Sequence, residues 1–458
     1  MKKRTILASV LALSLAGCAV GPTYERPAID TPVAFKEGLG EWVRAVPADM
    51  LERGPWWQLF NDPTLNDLVS RVEVSNQNVA IAVANYAQAR ALVAEQRASL
   101  FPVVSLDAGA SRSGPPARSN FQVGIGGSWE PDVWGRLRRG VNSAQAGEQA
   151  SLADLQAAKL SAQGELAVDY FNLRELDVQH ALQLQTIAGY ERTFTITTNR
   201  YNAGIVARTD VLQAQTQLIN ARAEILGIER QRAVLEHAIA VLIGLAPANF
   251  TLPPRPVWQG AVPAIPFDVP STLLQRRPDI AAAERRAAQA NEQIGIAQAA
   301  FFPSLRLNGS LGSSAARIGD LFSSSAIAWS IGAALAQTIF DAGARSARVD
   351  SARAGLEEAS ARYRQTVLSA FQDVEDQLVA SRVLMQQLTL REQAAQAANL
   401  VEQQVLNRYL AGQVSYTEVV QAQVTAQNAR RALVQAQSDQ QVAAVALIQA
   451  LGGGWRGL

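Results

Sequence analysis

Two stretches of the chain read almost alike: RYNAGIVARTDVLQAQTQLINAR at residues 200–222 and RYLAGQVSYTEVVQAQVTAQNAR at residues 408–430, with thirteen of 23 positions identical at a separation of 208. A repeat at fixed separation marks a duplicated fold. Each copy sets Asn-Ala-Gly or Leu-Ala-Gly between two Ala/Gln-rich runs of helical character. Gly204 and Gly412 then serve as left-handed helix stops, and the chain doubles back as a helical hairpin at each.

The same offset extends upstream, where VNSAQAG at 141–147 matches VDSARAG at 349–355 and Gly135 matches Gly343. Further back, Leu100-Phe101-Pro102 corresponds to Phe301-Phe302-Pro303, with the offset slipping to 201. The order expected in each half is a helix, two short extended runs, a very long helix, a tight turn and a return helix.

In the first half Asp62 and Pro63 stand where an N-cap and an N1 proline belong, so a helix is expected from there to about Leu100, stopped by Pro102. Strands are expected at 103–113 and 121–129, separated by Gly114-Pro115-Pro116; Phe121, Val123 and Ile125 share a face of the second. No proline interrupts 136–201, so one helix of about 100 Å is expected at about 1.5 Å per residue. A return helix should run from Thr209 to Leu245 and stop at Pro247. The second half should open at Pro278-Asp279, carry strands at 304–313 and 327–337, and run its long helix over 344–409. Its last helix should end at Gly452-Gly453-Gly454.

The N-terminus is a separate signal. Lys2, Lys3 and Arg4 precede an apolar run over 5–16, too short to span the roughly 30 Å hydrocarbon core as a helix. Leu15-Ala16-Gly17-Cys18 resembles the bacterial lipobox, which implies cleavage before Cys18 and a diacylglycerol on its sulfur; an ordinary cleavage after Ala16 is the alternative. As the only cysteine, Cys18 has no partner for an intrachain disulfide. Removing residues 1–17 changes the formal charge from +1 to −2, leaving no basic excess for nucleic acid. The expected division is thus a signal peptide (1–17), a lipid-anchored segment (18–60), a first repeat (61–246), a linker (247–270), a second repeat (271–452) and a tail (453–458).

No later stretch supplies 18 consecutive apolar residues, so a membrane could be crossed only by a closed β-barrel. Four short strands cannot close one. Two pooled chains give eight strands and a lumen filled by side chains, whereas three give twelve and an open lumen. The fold class expected is therefore mainly α with a small membrane barrel, four strands from each of three chains. A small soluble sheet capping a coiled coil is the competing reading of the strands.

Taken together, CAVGPTYERP at 18–27, WWQLFNDPTL at 56–65, RPDIAAAE at 277–284, AFFPSL at 300–305 and the paired RYxAG turns resemble the TolC-like outer-membrane efflux proteins, in particular their lipoprotein branch. The resemblance implies a trimeric twelve-stranded barrel in the outer membrane, continued by a periplasmic α-helical tunnel with an equatorial belt. It implies a passive channel for small molecules in a tripartite pump, without enzymatic activity. Its partners would be a periplasmic adaptor and an inner-membrane transporter of the RND type, and substrate choice would lie with that transporter.

The turns would lie at the periplasmic tip as gate and adaptor-docking site, built from Arg200, Gly204, Val206, Thr209, Asp210, Arg408, Gly412, Val414, Thr417 and Glu418. Asp210 and Glu418, each present three times, would ring the opening with like charges that bias it toward opening or attract cations. Both also have a simpler role. Asp210 suits the positive end of its helix, and Glu418 completes a capping box with Ser415. Gln421 stands where many relatives carry aspartate. Arg200 and Arg408 likewise suit the negative ends of the long helices, and the family reading adds pairing between helices.

Tyr201 and Tyr409 read as packing residues, and Trp129, Trp134 and Trp329 as either an interfacial girdle or ordinary packing. His180 and His237 have no neighbouring Cys or His at metal-site spacing. No phosphate loop or GxSxG elbow is present, and no cofactor is expected beyond a lipid on Cys18. Two other functions fit parts of the pattern: a duct for type I protein secretion, and a lipid-tethered coiled-coil spacer with no channel.

Overall fold

A computed structural model describes residues 20–37, 55–258, 262–263 and 276–453. Cys18, the signal segment, part of the linker and the tail after Gly453 lie outside the described residues. In chain order the elements are α1 (Pro63–Ser75), α2 (Gln77–Ala98), β1 (Val103–Ser113), β2 (Arg118–Trp129), α3 (Arg136–Asn202), α4 (Arg208–Leu242), α5 (Pro278–Ala299), β3 (Ser304–Ala315), β4 (Ile327–Ala336), α6 (Ala344–Leu410) and α7 (Tyr416–Ala450). The long helices α3 and α6 are 67 residues each and the return helices α4 and α7 are 35 each. The duplicated sequence thus becomes a duplicated fold.

Several boundaries differ from the sequence reading. The helix expected from Asp62 to Leu100 is two helices, because Asn76 adopts an extended conformation. Its Oδ1 accepts from the N–H groups of Asn78 and Val79, capping α2, while its Nδ2 donates to the carbonyl of Leu242 at 2.8 Å. Helix α4 stops at Leu242 rather than at Pro247. Gly244, at φ +73°, closes it with the Leu245 N–H donating to the carbonyl of Ala240. Finally, β2 begins at Arg118 and β3 runs to Ala315, because the ladder pairs Ser113 with Arg118 and Phe121 with Ala315.

The chain divides into two compact units, each drawing on both repeats. One comprises residues 1–29, 84–154 and 279–366 and carries the sheet. Its four strands are antiparallel in the order β1-β2-β3-β4. The register aligns Leu106, Ile125, Leu311 and Trp329 in one row across all four strands, every one of them exposed. The next row, on the opposite face because side chains alternate, is Asp107, Gly124, Gly312 and Ala328. On that same face follows Ser105, Gly126, Ser310 and Ser330, with the two serine hydroxyls of β3 and β4 2.8 Å apart. One face is mainly apolar, interrupted by Arg112, Ser119 and Ser313, and the other is mainly polar and small, with Asp107, Gln122, Arg306 and Asn308 among its glycines and serines; the outer edges of β1 and β4 pair with no strand among the described residues.

Below the sheet, Trp134 donates to the carbonyl of Pro303 and stacks 4.8 Å from Phe302, while Trp129 donates to the carbonyl of Leu100. Trp329 lies in the exposed apolar row, so the three tryptophans divide between packing and surface. The segment after Ala19 is strapped to the same unit. Arg139 donates through Nε to the carbonyl of Val20 and pairs through Nη1 with Glu292 at 2.9 Å, and Tyr24 donates to the Glu284 carboxylate. Gly21, at φ +118°, passes so near Gly295 that a Cβ on it would stand 2.5 Å from the Gly295 Cα.

The other unit comprises residues 30–83, 155–278 and 367–458. Its core gathers Trp56, Phe60, Leu65, Leu166, Tyr170 and Phe171, with Phe60 and Phe171 5.0 Å apart. Asp62 caps α1 as expected, accepting from the N–H groups of Thr64 and Leu65, and also accepts from the Tyr170 hydroxyl and Arg255. A second carboxylate, the fully buried Asp177, ties Arg174 and Arg232 together at 2.7 Å each.

Candidate functional site

The two turns close with the same hydrogen-bond pattern. The N–H of Ile205 donates to the carbonyl of Arg200 and that of Gly204 to Tyr201; 208 residues later Gln413 donates to Arg408 and Gly412 to Tyr409. Gly204 and Gly412 sit at φ +71° and +77°, where a Cβ is strained and glycine is not. The motif satisfies carbonyls that a helix end otherwise leaves without partners.

Around that shared backbone the side chains differ. Tyr409 and Tyr416 are buried against each other, ring centroids 5.5 Å apart, and Ala214, Val419, Phe194 and Val414 complete the cluster. Burial holds the Tyr416 hydroxyl well above its ordinary pKa, with Tyr409 adding to the shift, so it stays a neutral phenol. Arg200 donates through Nη1 to the carbonyl of Tyr409 at 2.7 Å and lies 4.8 Å over the Tyr409 ring. The cation thus caps the end of α6 from α3, a pairing between helices beyond simple capping of its own. Arg408, its counterpart, is exposed and has no partner among the described residues.

Asp210 lies in the first turn of α4 and Glu418 in the first turn of α7. Glu418 Oε1 accepts from the Ser415 N–H at 3.3 Å, which is the capping role read from the sequence. Thr209 and Thr417 are exposed in the same first turns, and Val206 and Val414 are half-buried behind them. All ten tip residues therefore fall on the two turns and the helix ends beside them, with Tyr416 and Phe194 as neighbours the sequence did not single out.

Further along the hairpins lies a polar layer that also escaped the sequence reading. Glu224 of α4 accepts from Gln183 of α3 and from Gln427 and Arg431 of α7, while the Tyr190 hydroxyl donates to Gln427 at 3.3 Å. Burial raises the Tyr190 pKa to about 12, with Glu402 and Glu224 contributing. Its sequence signal was present but faint: glutamines and a glutamate at helical spacing in an alanine-rich stretch. Beside it a cavity of about 470 Å³ is lined by Gly189, Tyr190, Glu402, Gln423 and Arg430 among others.

His180 lies 3.3 Å from Glu229, and His237 is exposed. Among the described residues no group of three or more His, Cys, Asp or Glu is placed to hold a metal ion. No helix among them is long and apolar enough to cross a membrane.

The sequence matches the family model for outer membrane efflux proteins over residues 68–245 and 269–453. The toluene efflux pump outer membrane protein TtgC of Pseudomonas putida is 30% identical over 469 residues, which are 99% of this chain and 96% of that protein. Among solved structures, the outer-membrane channel OprN shares the fold with a TM-score of 0.87 at 31% identity, over 96% of this chain and 100% of that one. The open state of the MtrE outer membrane channel of Neisseria gonorrhoeae gives 0.84 at 30% identity, over 95% and 98%.

Proposed function

The chain belongs to the outer membrane efflux protein family, and from that premise we propose that it is the exit channel of a tripartite efflux pump, gated at the turns around Gly204 and Gly412. Three copies pool their four-stranded sheets into a twelve-stranded barrel across the outer membrane. The observation that carries this reading is the sheet itself, with its mainly apolar face, its polar and small-residue face and its two edges that pair with no strand among the described residues. Open edges in hydrocarbon leave backbone groups without partners, which closure among chains removes. Closure with the apolar rows outward meets lipid with Leu106, Ile125, Leu311 and Trp329 and lines the lumen with the polar and small residues of the other face, Asp107, Asn308 and Ser310 among them.

In this reading the chain performs no chemistry. Small molecules pass from the periplasm to the exterior, and energy comes from an inner-membrane transporter, of the RND type, reached through a periplasmic adaptor that docks at the turns. A lipid on Cys18 anchors the N-terminus in the outer membrane, and the strap from Val20 through Tyr24 holds the residues that follow. Asp210 and Glu418, in three copies each, place like charges about the narrowest opening, so the closed gate is held against their repulsion.

Single-channel recording of the mature protein in planar bilayers, beside its mass in detergent, tests the proposal. A trimer of small conductance that rises in Asp210→Ala/Glu418→Ala places the gate at these acids. An unchanged conducting trimer leaves them as helix caps. A monomer without conductance removes the channel reading altogether.

A further inference from the structure

At the end of the sheet away from the helices, the mainly apolar face carries two arginines. Helices α2 and α3 adjoin the sheet at Val103 and Trp129, so the connections 114–117 and 316–326 lie at its far end. Along β1 that face reads Val104, Leu106, Ala108, Ala110 and then Arg112, which the register sets opposite Ser119. The next ladder pairs Phe121 with Ala315. Arg317 keeps an extended backbone at φ −126° and ψ 141°, so two residues further along it also comes opposite Ser119. Arg112, Ser119 and Arg317 thus form one row, the two cations about 10 Å apart at two strand spacings. Both arginines are exposed, and the guanidinium of neither has a partner among the described residues.

Resting on the barrel reading above, we propose that this row, at the exterior end of each copy, binds a phosphorylated glycolipid of the outer leaflet. Closure with the apolar rows outward turns Arg112, Ser119 and Arg317 toward lipid. The depth fits. Val104 to Arg112 is about 27 Å along the strand, or about 20 Å of height at a barrel tilt near 40°. The apolar band of such barrels is about 25 Å tall, so the row stands where headgroups begin. The charge fits as well. Residues 112–120 and 315–326 hold three arginines, no lysine and one acid, Asp320, a net +2 per chain. A guanidinium fork matches the oxygens of a phosphate two at a time.

The spacing selects the ligand. A glycerophospholipid such as phosphatidylglycerol brings one phosphate, which one arginine meets. Two cations about 10 Å apart, with the Ser119 hydroxyl between them, suit a sugar headgroup phosphorylated at both ends. Its acyl chains have a bed beside the row. Ser313, on the same face, donates from its hydroxyl to the Leu321 carbonyl and ties the 316–326 connection down over the outer end of that face. Within this connection Ile318 and Phe322 stay 71% and 83% exposed. Apolar side chains next to unpaired arginines belong at a boundary between hydrocarbon and anionic headgroups. Arg118, opposite Ser113 on the other face of the sheet, turns toward the lumen and takes no part.

Native mass spectrometry of the mature protein in mild detergent, titrated with bisphosphorylated lipid A, tests the proposal. The trimer should take up lipid A, with phosphatidylglycerol and dephosphorylated lipid A bound at least about tenfold more weakly. Arg112→Ala/Arg317→Ala should lower the affinity for lipid A by about 25-fold, at roughly fivefold for each arginine beside an anionic surface. Arg112→Lys/Arg317→Lys should fall between, because it keeps the charge but not the planar fork. Arg118→Ala should bind as the parent does, and every variant should remain a conducting trimer in bilayers. Undiminished binding by the double alanine variant, or equal affinity for phosphatidylglycerol, overturns the inference and leaves the channel reading standing. A loss on Arg118→Ala as large as that of the double variant also overturns it, since the charge alone would then count and not the row. A chain that is monomeric and passes no current overturns both readings.

Discussion

Replacing Asp177 by alanine tests how the second compact unit is held. The carboxylate is fully buried and accepts from Arg174 Nη1 at 2.7 Å, Arg232 Nε at 2.7 Å and the Arg255 N–H at 2.9 Å. The two arginines do not suffer equally when it goes. Arg232 keeps Glu236 and the carbonyl of Leu252, both at 2.6 Å. Arg174 is 1% exposed, keeps the Pro253 carbonyl and its contact with Tyr170 but no other carboxylate, and its Nε already lacks a partner. Stripping one partner from a buried pair costs about 3–5 kcal/mol, and Arg174 accounts for most of it. At roughly 2–4 °C per kcal/mol, thermal unfolding followed by far-ultraviolet circular dichroism in detergent should fall by on the order of 10 °C. Adding Arg174→Met to Asp177→Ala should recover more than half of the loss, because the stranded charge is gone. A fall of less than about 2 °C, or no recovery in the double variant, would refute the reasoning.

Three further outcomes are expected. Gly244→Ala should destabilise more than Gly204→Ala, since both sit at positive φ but a Cβ on Gly244 meets the Ser75 carbonyl oxygen at 2.3 Å while Gly204 has open space. The strain alone is about 1–2 kcal/mol, so equal melting temperatures would contradict the clash. Burial, and secondly the Glu165 carboxylate, raises Asp169 from 3.8 to about 6. Its contribution to stability is therefore complete below the unfolded value and is lost as pH rises through about 6. Asp169→Asn should then melt higher than the parent at pH 8, with the advantage vanishing at low pH; no gain at pH 8 would count against it. Cys18→Ala should abolish incorporation of labelled palmitate while the trimer still forms, and continued labelling would place the lipid elsewhere.

Most of the fold was legible because its signals are local. Asp62-Pro63 caps a helix, Pro102 and Pro303 end helices, and the RYxAG turns require glycine at positive φ. The misplaced boundaries are where a distant contact decides between two acceptable local readings. Ser-Asn-Gln-Asn at 75–78 passes as the polar face of a helix until the Asn76 side chain is given the Leu242 carbonyl to bond. Gly244 and Pro247 are both stop signals, and the close approach to Ser75 selects the first. The lumen and lipid faces were illegible for another reason: alternation gives two faces per strand, and only the register matches apolar faces across all four. The repeat placed the candidate site residues on the two turns, but what each touches was not legible in it. Arg200 and Arg408 occupy similar sequence contexts and have unlike surroundings.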